Sequence, residues 1–136
     1  MRNIVIASHD RLAQGLADTL RFVTGYDSAH VLCAYVDPAE DDLAERVAGL
    51  MASLDPEGET FVFTDMLGGS VTQRFFPYMG ERVYLICGMN LPLVLEVALA
   101  GPEPFSPERV DELVAGARDA IVYVNDLEAD SLDEDE

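Results

Sequence analysis

Two short segments of this chain carry side chains with complementary chemistry, Ser8-His9-Asp10 and Thr64-Asp65-Met66. A neutral imidazole is a competent nucleophile, and a carboxylate that accepts a hydrogen bond from one ring N–H fixes the tautomer that leaves the other nitrogen free to attack. In that reading His9 is the nucleophile, Asp65 orients it, and Ser8 and Thr64 support the pair from within their segments. Phosphoryl transfer suits such a pair, because it asks a protein for little beyond positioning and stabilisation of the oxygens in flight. The following Leu67-Gly68-Gly69-Ser70 offers two glycines that admit close backbone approach, a hydroxyl, and the start of a helix whose dipole favours an anion. Gly88-Met89-Asn90-Leu91-Pro92 is a second glycine-led turn, in which Asn90 reads either as an N-cap or as a polar group facing the site. Each feature also has a plainer reading: His9 as a loop residue, Asp65 as a helix cap, and Gly68-Gly69 as a turn. The second histidine, His30, falls near the amino end of a strand and receives no role. No His, Cys, Asp or Glu cluster has metal-ligand spacing, so neither a metal nor another cofactor is expected.

For His9 and Asp65 to meet, the fold must bring distant segments together. Apolar runs at 3–8, 30–36, 60–64, 82–87 and 120–124 read as strands, and most are continuously apolar, as in a parallel sheet covered on both faces. Helical periodicity lies between them: Leu12, Leu16, Leu20 and Val23, then Leu43, Val47, Leu50 and Leu54. Asp37-Pro38-Ala39-Glu40 spells a start for the second helix, and Ser106-Pro107-Glu108 a start for the last; shorter helices are expected near 69–79 and 91–100. This alternation predicts a doubly wound α/β domain over 1–127, with helices on both faces and an acidic, disordered tail over 128–136. Open α/β sheets bind ligands beyond the carboxyl ends of their strands, where strand order reverses. In the order 2-1-3-4 that point lies between strands 1 and 3, where His9 and Asp65 would become neighbours.

Composition narrows the function. The formal charge is −18, and all eight basic side chains are arginines. No basic patch can neutralise a phosphate backbone, which argues against a nucleic-acid partner. Part of the acidity is terminal, since seven of the residues from Asp126 to Glu136 are acidic. No run approaches the roughly 20 apolar residues of a membrane helix, which predicts a cytoplasmic protein. Cys33 and Cys87 sit in apolar runs and form no disulfide framework.

Three segments resemble one family. Ile4-Val5-Ile6-Ala7-Ser8-His9 with Leu12-Ala13-Gln14-Gly15-Leu16, Phe63-Thr64-Asp65-Met66-Leu67-Gly68-Gly69-Ser70, and Gly88-Met89-Asn90-Leu91-Pro92-Leu93-Val94-Leu95-Glu96 are similar to segments of the IIA proteins of the mannose/fructose/sorbose family of the bacterial sugar phosphotransferase system. The resemblance implies a homodimeric phosphoryl carrier that accepts the group on His9 from the phosphohistidine of HPr, with Asp65 as its hydrogen-bonding partner. The group then passes to a IIB component at the permease, so the membrane is met only indirectly. The resemblance also implies that 120–124 joins the sheet as an antiparallel edge strand, exchangeable between subunits. Two positions depart from the family pattern: Asp10 replaces a glycine, and Val71 replaces a proline. A carboxylate about 6 Å from a phosphoryl group would cost roughly 2–3 kcal/mol at an effective dielectric near 20, unless Asp10 turns away to cap the first helix. Asp10 motivates a second reading, a regulatory phosphocarrier. The phosphocarrier subunit of a dihydroxyacetone kinase and a non-catalytic dimeric interaction module are further alternatives.

Overall fold

The computed structural model describes residues 1–39 and 42–127. Two compact units, Met1–Pro104 and Phe105–Glu136, are distinguished within the chain. In the first, β1 (Arg2–His9), β2 (His30–Ala34), β3 (Glu59–Thr64) and β4 (Val83–Cys87) form one parallel sheet in the order β2-β1-β3-β4. The strand order read from the sequence is the observed one.

β1 and β3 are central and almost wholly buried, which is why they spell near-continuous apolar runs. Alternation along β1 divides the core. Val5 and Ala7 join Leu32, Ala34 and Val62 under α2 (Leu43–Ala52) and α3 (Ser70–Arg74), through Leu43, Val47, Val71 and Phe75. Helix α1 (Leu12–Thr24) packs on β1 and β2 and against α4 (Leu91–Leu99). The second unit contains α5 (Pro107–Asp119), whose N-cap Ser106 accepts from the Arg109 N–H at 3.1 Å. Within it the Arg109 guanidinium lies 3.9 Å from the centre of the Phe105 ring.

Several local expectations are corrected. The α1 stripe holds in its middle and fails at its ends: Leu20 is buried and Leu16 half-buried as expected, but Ala13 is buried in place of Leu12, which is 58% exposed, and Val23 lies outside. Helix α2 begins after Asp42, whose side chain accepts from the Glu45 N–H at 3.0 Å. Asp37 instead closes a small turn onto the Ala39 N–H at 2.9 Å. Both aspartates are followed by Glu at the capping spacing, but only Asp42 stands immediately before the buried Leu43 and Val47. Over 69–79, α3 is short and a separate 3-10 turn, Phe76–Tyr78, follows Phe75.

The antiparallel edge strand is not formed within the chain. The sheet has four strands among the described residues, and 120–124 is not one of them. Ile121, Val122, Tyr123 and Val124 lie exposed after the end of α5. Their β-branched spelling favours an extended backbone, but a strand also needs a ladder partner, and none pairs with them among the described residues. Residues 128–136, the expected acidic tail, lie outside the described residues. Among the described residues, no helix is long and apolar enough to cross a membrane.

The observed burial along α1 makes a clear prediction. Leu20→Ala should cost about 2–5 kcal/mol, as for other fully buried leucines, while Leu12→Ala should stay within about 0.5 kcal/mol. Urea unfolding of the two variants distinguishes this pattern from one that buries Leu12.

Candidate functional site

The site forms where β1 and β3 part company. Ala7 is in register with Thr64, so β1 continues beside β2 to His9 while Asp65 follows directly after β3. Two hydrogen bonds join them through one atom. Asp65 Oδ2 accepts from the His9 backbone N–H at 2.8 Å and from His9 Nδ1 at 2.8 Å. One oxygen thus fixes both the main chain and the ring.

The protonation state follows from this geometry. Burial by itself would raise the Asp65 carboxyl. Hydrogen bonds from the His9 backbone and ring, the attraction of the imidazole and the Met66 N–H outweigh it and hold the carboxyl below its ordinary value. A carboxylate can only accept, so His9 Nδ1 bears a proton, and in the neutral ring the lone pair lies at Nε2. The histidine side chain is 33% exposed and the aspartate 11%, which leaves the ring accessible and its anchor sheltered.

Gly69 closes on the Cε1 edge of the ring. A Cβ built there would lie 2.6 Å from His9 Cε1 and 3.4 Å from Nε2. Gly69 is buried, whereas Gly68 is exposed and meets nothing within 4 Å of such a Cβ. The sequence pair therefore divides into one residue packed against the imidazole and one turn residue.

The remaining predicted residues are chiefly struts. Ser8 Oγ accepts from the Ala13 N–H at 2.7 Å and donates to the Asp10 carbonyl at 3.1 Å, tying the end of β1 to the first turn of α1. Buried Thr64 Oγ1 lies 2.8 Å from Thr72 Oγ1, which is itself 2.6 Å from the Met66 carbonyl. The loop carrying Asp65 is thereby fastened to α3. Asn90 caps α4, accepting from the Leu93 N–H at 3.0 Å. Val71, at the family's proline position, is fully buried in the core.

Asp10 does not cap α1, whose N-cap position is Arg11 with no side-chain cap bond. Its backbone is left-handed at φ +51°, and its N–H donates to the Ala34 carbonyl at 2.8 Å. A glycine spelling suits that φ, and aspartate is among the side chains that tolerate it best. Tyr35 is the other non-glycine residue with positive φ among the described residues, at +69°. A left-handed backbone costs an L-residue roughly 1–2 kcal/mol, so two of them in adjoining turns are held by their surroundings.

Sequence reading missed Tyr35, which it placed inside a strand. Its ring centre lies 5.7 Å from that of His9, and its hydroxyl lies 2.6 Å from Ser70 Oγ. No pattern of residue types marks a strand that stops two residues early. Thr72 was missed as well, since a single threonine in a short helix carries no spacing signal. Cys33 and Cys87 are free and half-buried. No group of three or more His, Cys, Asp or Glu among the described residues could hold a metal ion.

A doubly wound parallel sheet with an oriented, partly exposed imidazole at its switch point defines a class of α/β proteins whose ligand sites lie at that edge. The chain belongs to the IIA family of the sugar phosphotransferase system: the family described as PTS system fructose IIA component matches residues 3–114. Among solved structures, it is 31% identical, with a TM-score of 0.84, to a Klebsiella pneumoniae protein assigned as a phosphoenolpyruvate-dependent sugar phosphotransferase system permease, over 92% of each chain. The mannose/sorbose specific IIA subunit from Enterococcus faecalis is 24% identical, with a TM-score of 0.74, over 93% of this chain and 96% of that one. A IIA protein associated with the fucose utilization operon of Streptococcus pneumoniae is also 24% identical, with a TM-score of 0.71, over 91% and 93%. These last two share the fold. None of the curated proteins compared with the chain matches it.

Two outcomes follow from the geometry. Gly69→Ala has an ordinary backbone conformation to occupy, so the protein should fold, but the new methyl should displace the His9 ring from Asp65. Nitrogen-15 spectra of the ring should then lose the fixed-tautomer pattern; an unchanged spectrum would contradict the contact. The lowered Asp65 pKa means its ionised form stabilises the fold above the unfolded value of about 3.9, and this contribution is lost as pH falls through the folded value. The stability gap between wild type and Asp65→Asn, measured by urea unfolding, should be full near neutral pH and close in acid.

Proposed function

We propose that the chain is a phosphoryl carrier, accepting the group from phospho-HPr on His9 and passing it to a IIB component for sugar uptake. The observation that carries this reading is the double hold of Asp65 Oδ2 on the His9 N–H and Nδ1, which leaves Nε2 as the free nucleophile. In the transfer, the Nε2 lone pair attacks the phosphorus of the donor phosphohistidine. The new N–P bond forms as the donor N–P bond breaks, and the donor nitrogen leaves with that electron pair. The Nδ1 proton stays in its hydrogen bond, and the Asp65 carboxylate balances the positive charge that develops on the ring. Delivery to IIB runs the same step in reverse.

Gly69 packs against the imidazole and Ser70 follows it in the chain; both serve the phosphoryl oxygens in this reading. The chain acts in the cytoplasm as one domain over 1–127 and as a homodimer. The exposed Ile121, Val122, Tyr123 and Val124 support the dimer, since pairing that run as an antiparallel edge strand in the assembly would cover it. The regulatory reading keeps the same chemistry and draws on exposed Asp10, whose charge adjoins the nucleophile.

The test is incubation of the protein with enzyme I, HPr and phosphoenolpyruvate. An acid-labile, base-stable mass gain is expected in wild type and absent in His9→Ala. Asp65→Asn should fold yet transfer at least about tenfold more slowly, because its amide gives the ring the wrong hydrogen-bond partner. A label that persists in His9→Ala, or no label with active donors, overturns the reading.

A further inference from the structure

Tyr35 makes three observations that the carrier reading leaves unused. Its backbone is held left-handed at φ +69° directly after the carbonyl that accepts from Asp10. Its ring lies beside that of His9, with centres 5.7 Å apart and planes inclined by 32°. Its hydroxyl lies 2.6 Å from Ser70 Oγ, and Ser70 follows Gly69, the residue packed against the His9 ring edge. Nothing in the packing of the sheet requires this, since the Tyr35 side chain is largely exposed. Left-handed aromatic residues persist only where their surroundings impose them, and such residues cluster at functional sites.

We propose that Tyr35 is a positioning residue for phosphoryl transfer, orienting the Ser70 hydroxyl toward the phosphoryl oxygens carried by His9. The inference deepens the carrier reading and rests on it. A serine hydroxyl has one proton and two acceptor sites, and by itself rotates freely. A phenol, with a pKa of about 10, is a stronger donor than an aliphatic hydroxyl, so the short Tyr35–Ser70 bond runs from phenol to serine. That direction leaves the Ser70 proton for a third group. A phosphoryl oxygen on Nε2 is an anionic acceptor, and the resulting chain from Tyr35 through Ser70 to phosphoryl strengthens each link by polarisation. The Tyr35 ring meanwhile flanks the imidazole, so one side chain aims the donor and borders the nucleophile.

The chemistry predicts how the two hydroxyls are coupled. The full chain would be labelled in two ways, by phospho-HPr and by phosphoramidate, a small donor that needs no protein partner. Tyr35→Phe keeps the ring and should slow labelling by roughly tenfold at saturating donor, with KM for HPr within about twofold and thermal stability unchanged. Ser70→Ala should slow it by a similar factor, and the double variant should be no slower than Ser70→Ala, because the phenol acts only through the serine. Wild-type rates in Tyr35→Phe, or losses that multiply in the double variant, overturn the inference while leaving a His9-dependent label intact. If HPr fails to label wild type but phosphoramidate succeeds, the carrier reading fails and the phosphoramidate rates still decide the role of Tyr35. A wild type that phosphoramidate does not label overturns both.

Discussion

Asp65 Oδ2 holds two hydrogens of the same residue, one on the main chain and one on the ring, and nearly everything around the switch point serves that arrangement. The main-chain bond fixes where the last residue of β1 lies; the ring bond fixes how its imidazole is turned and which nitrogen is bare. A single acceptor that sets both is stricter than two independent contacts, because the backbone bond fixes the position of the oxygen to which the ring must turn. The supporting hydroxyls act one step behind it. Thr72 fastens the Asp65 loop, and Ser8 fastens the residues around His9 to α1.

Much of this was legible in the sequence because it depends on patterns that repeat. Continuous apolar runs mark buried parallel strands, and strand order then places His9 and Asp65 together with no catalytic motif assumed. The α2 stripe was likewise readable, and its phase, rather than its capping spelling, decides that Asp42 begins the helix. What resisted reading depends on single residues or on partners. Tyr35 continues the β2 spelling yet leaves the strand, because the turn beside Asp10 overrides its local preference. The α1 stripe was misread at its two ends, where Leu12 and Val23 mimic core residues while facing outward. The run at 120–124 has strand propensity without a ladder partner among the described residues, and propensity cannot report whether a second copy exists.

Asp10 shows how one substitution answers to two constraints. Its position asks first for a left-handed backbone, which explains why glycine is the family's spelling there and why aspartate, rather than a branched or aromatic residue, is an acceptable replacement. The side chain that satisfies the backbone then brings a charge next to His9, where the proposed carrier would hold an anionic group. Conformational tolerance and electrostatic suitability are separate properties, and this position meets the first more fully than the second.

The contact between His9 and Asp65 spans 56 positions of sequence, and Tyr35 and Ser70 meet across 35. Neither exists until β1 has paired with β3 and the intervening chain has been enclosed. Closing loops of that length comes at a cost in entropy that only the completed sheet repays. A partly folded molecule therefore retains a histidine but not an oriented one, and reactivity becomes a property of the whole sheet. If the proposed carrier role holds, variants that weaken the core should lower the number of competent molecules while leaving each survivor as fast as before, so that the capacity for labelling doubles as a census of correctly folded chains.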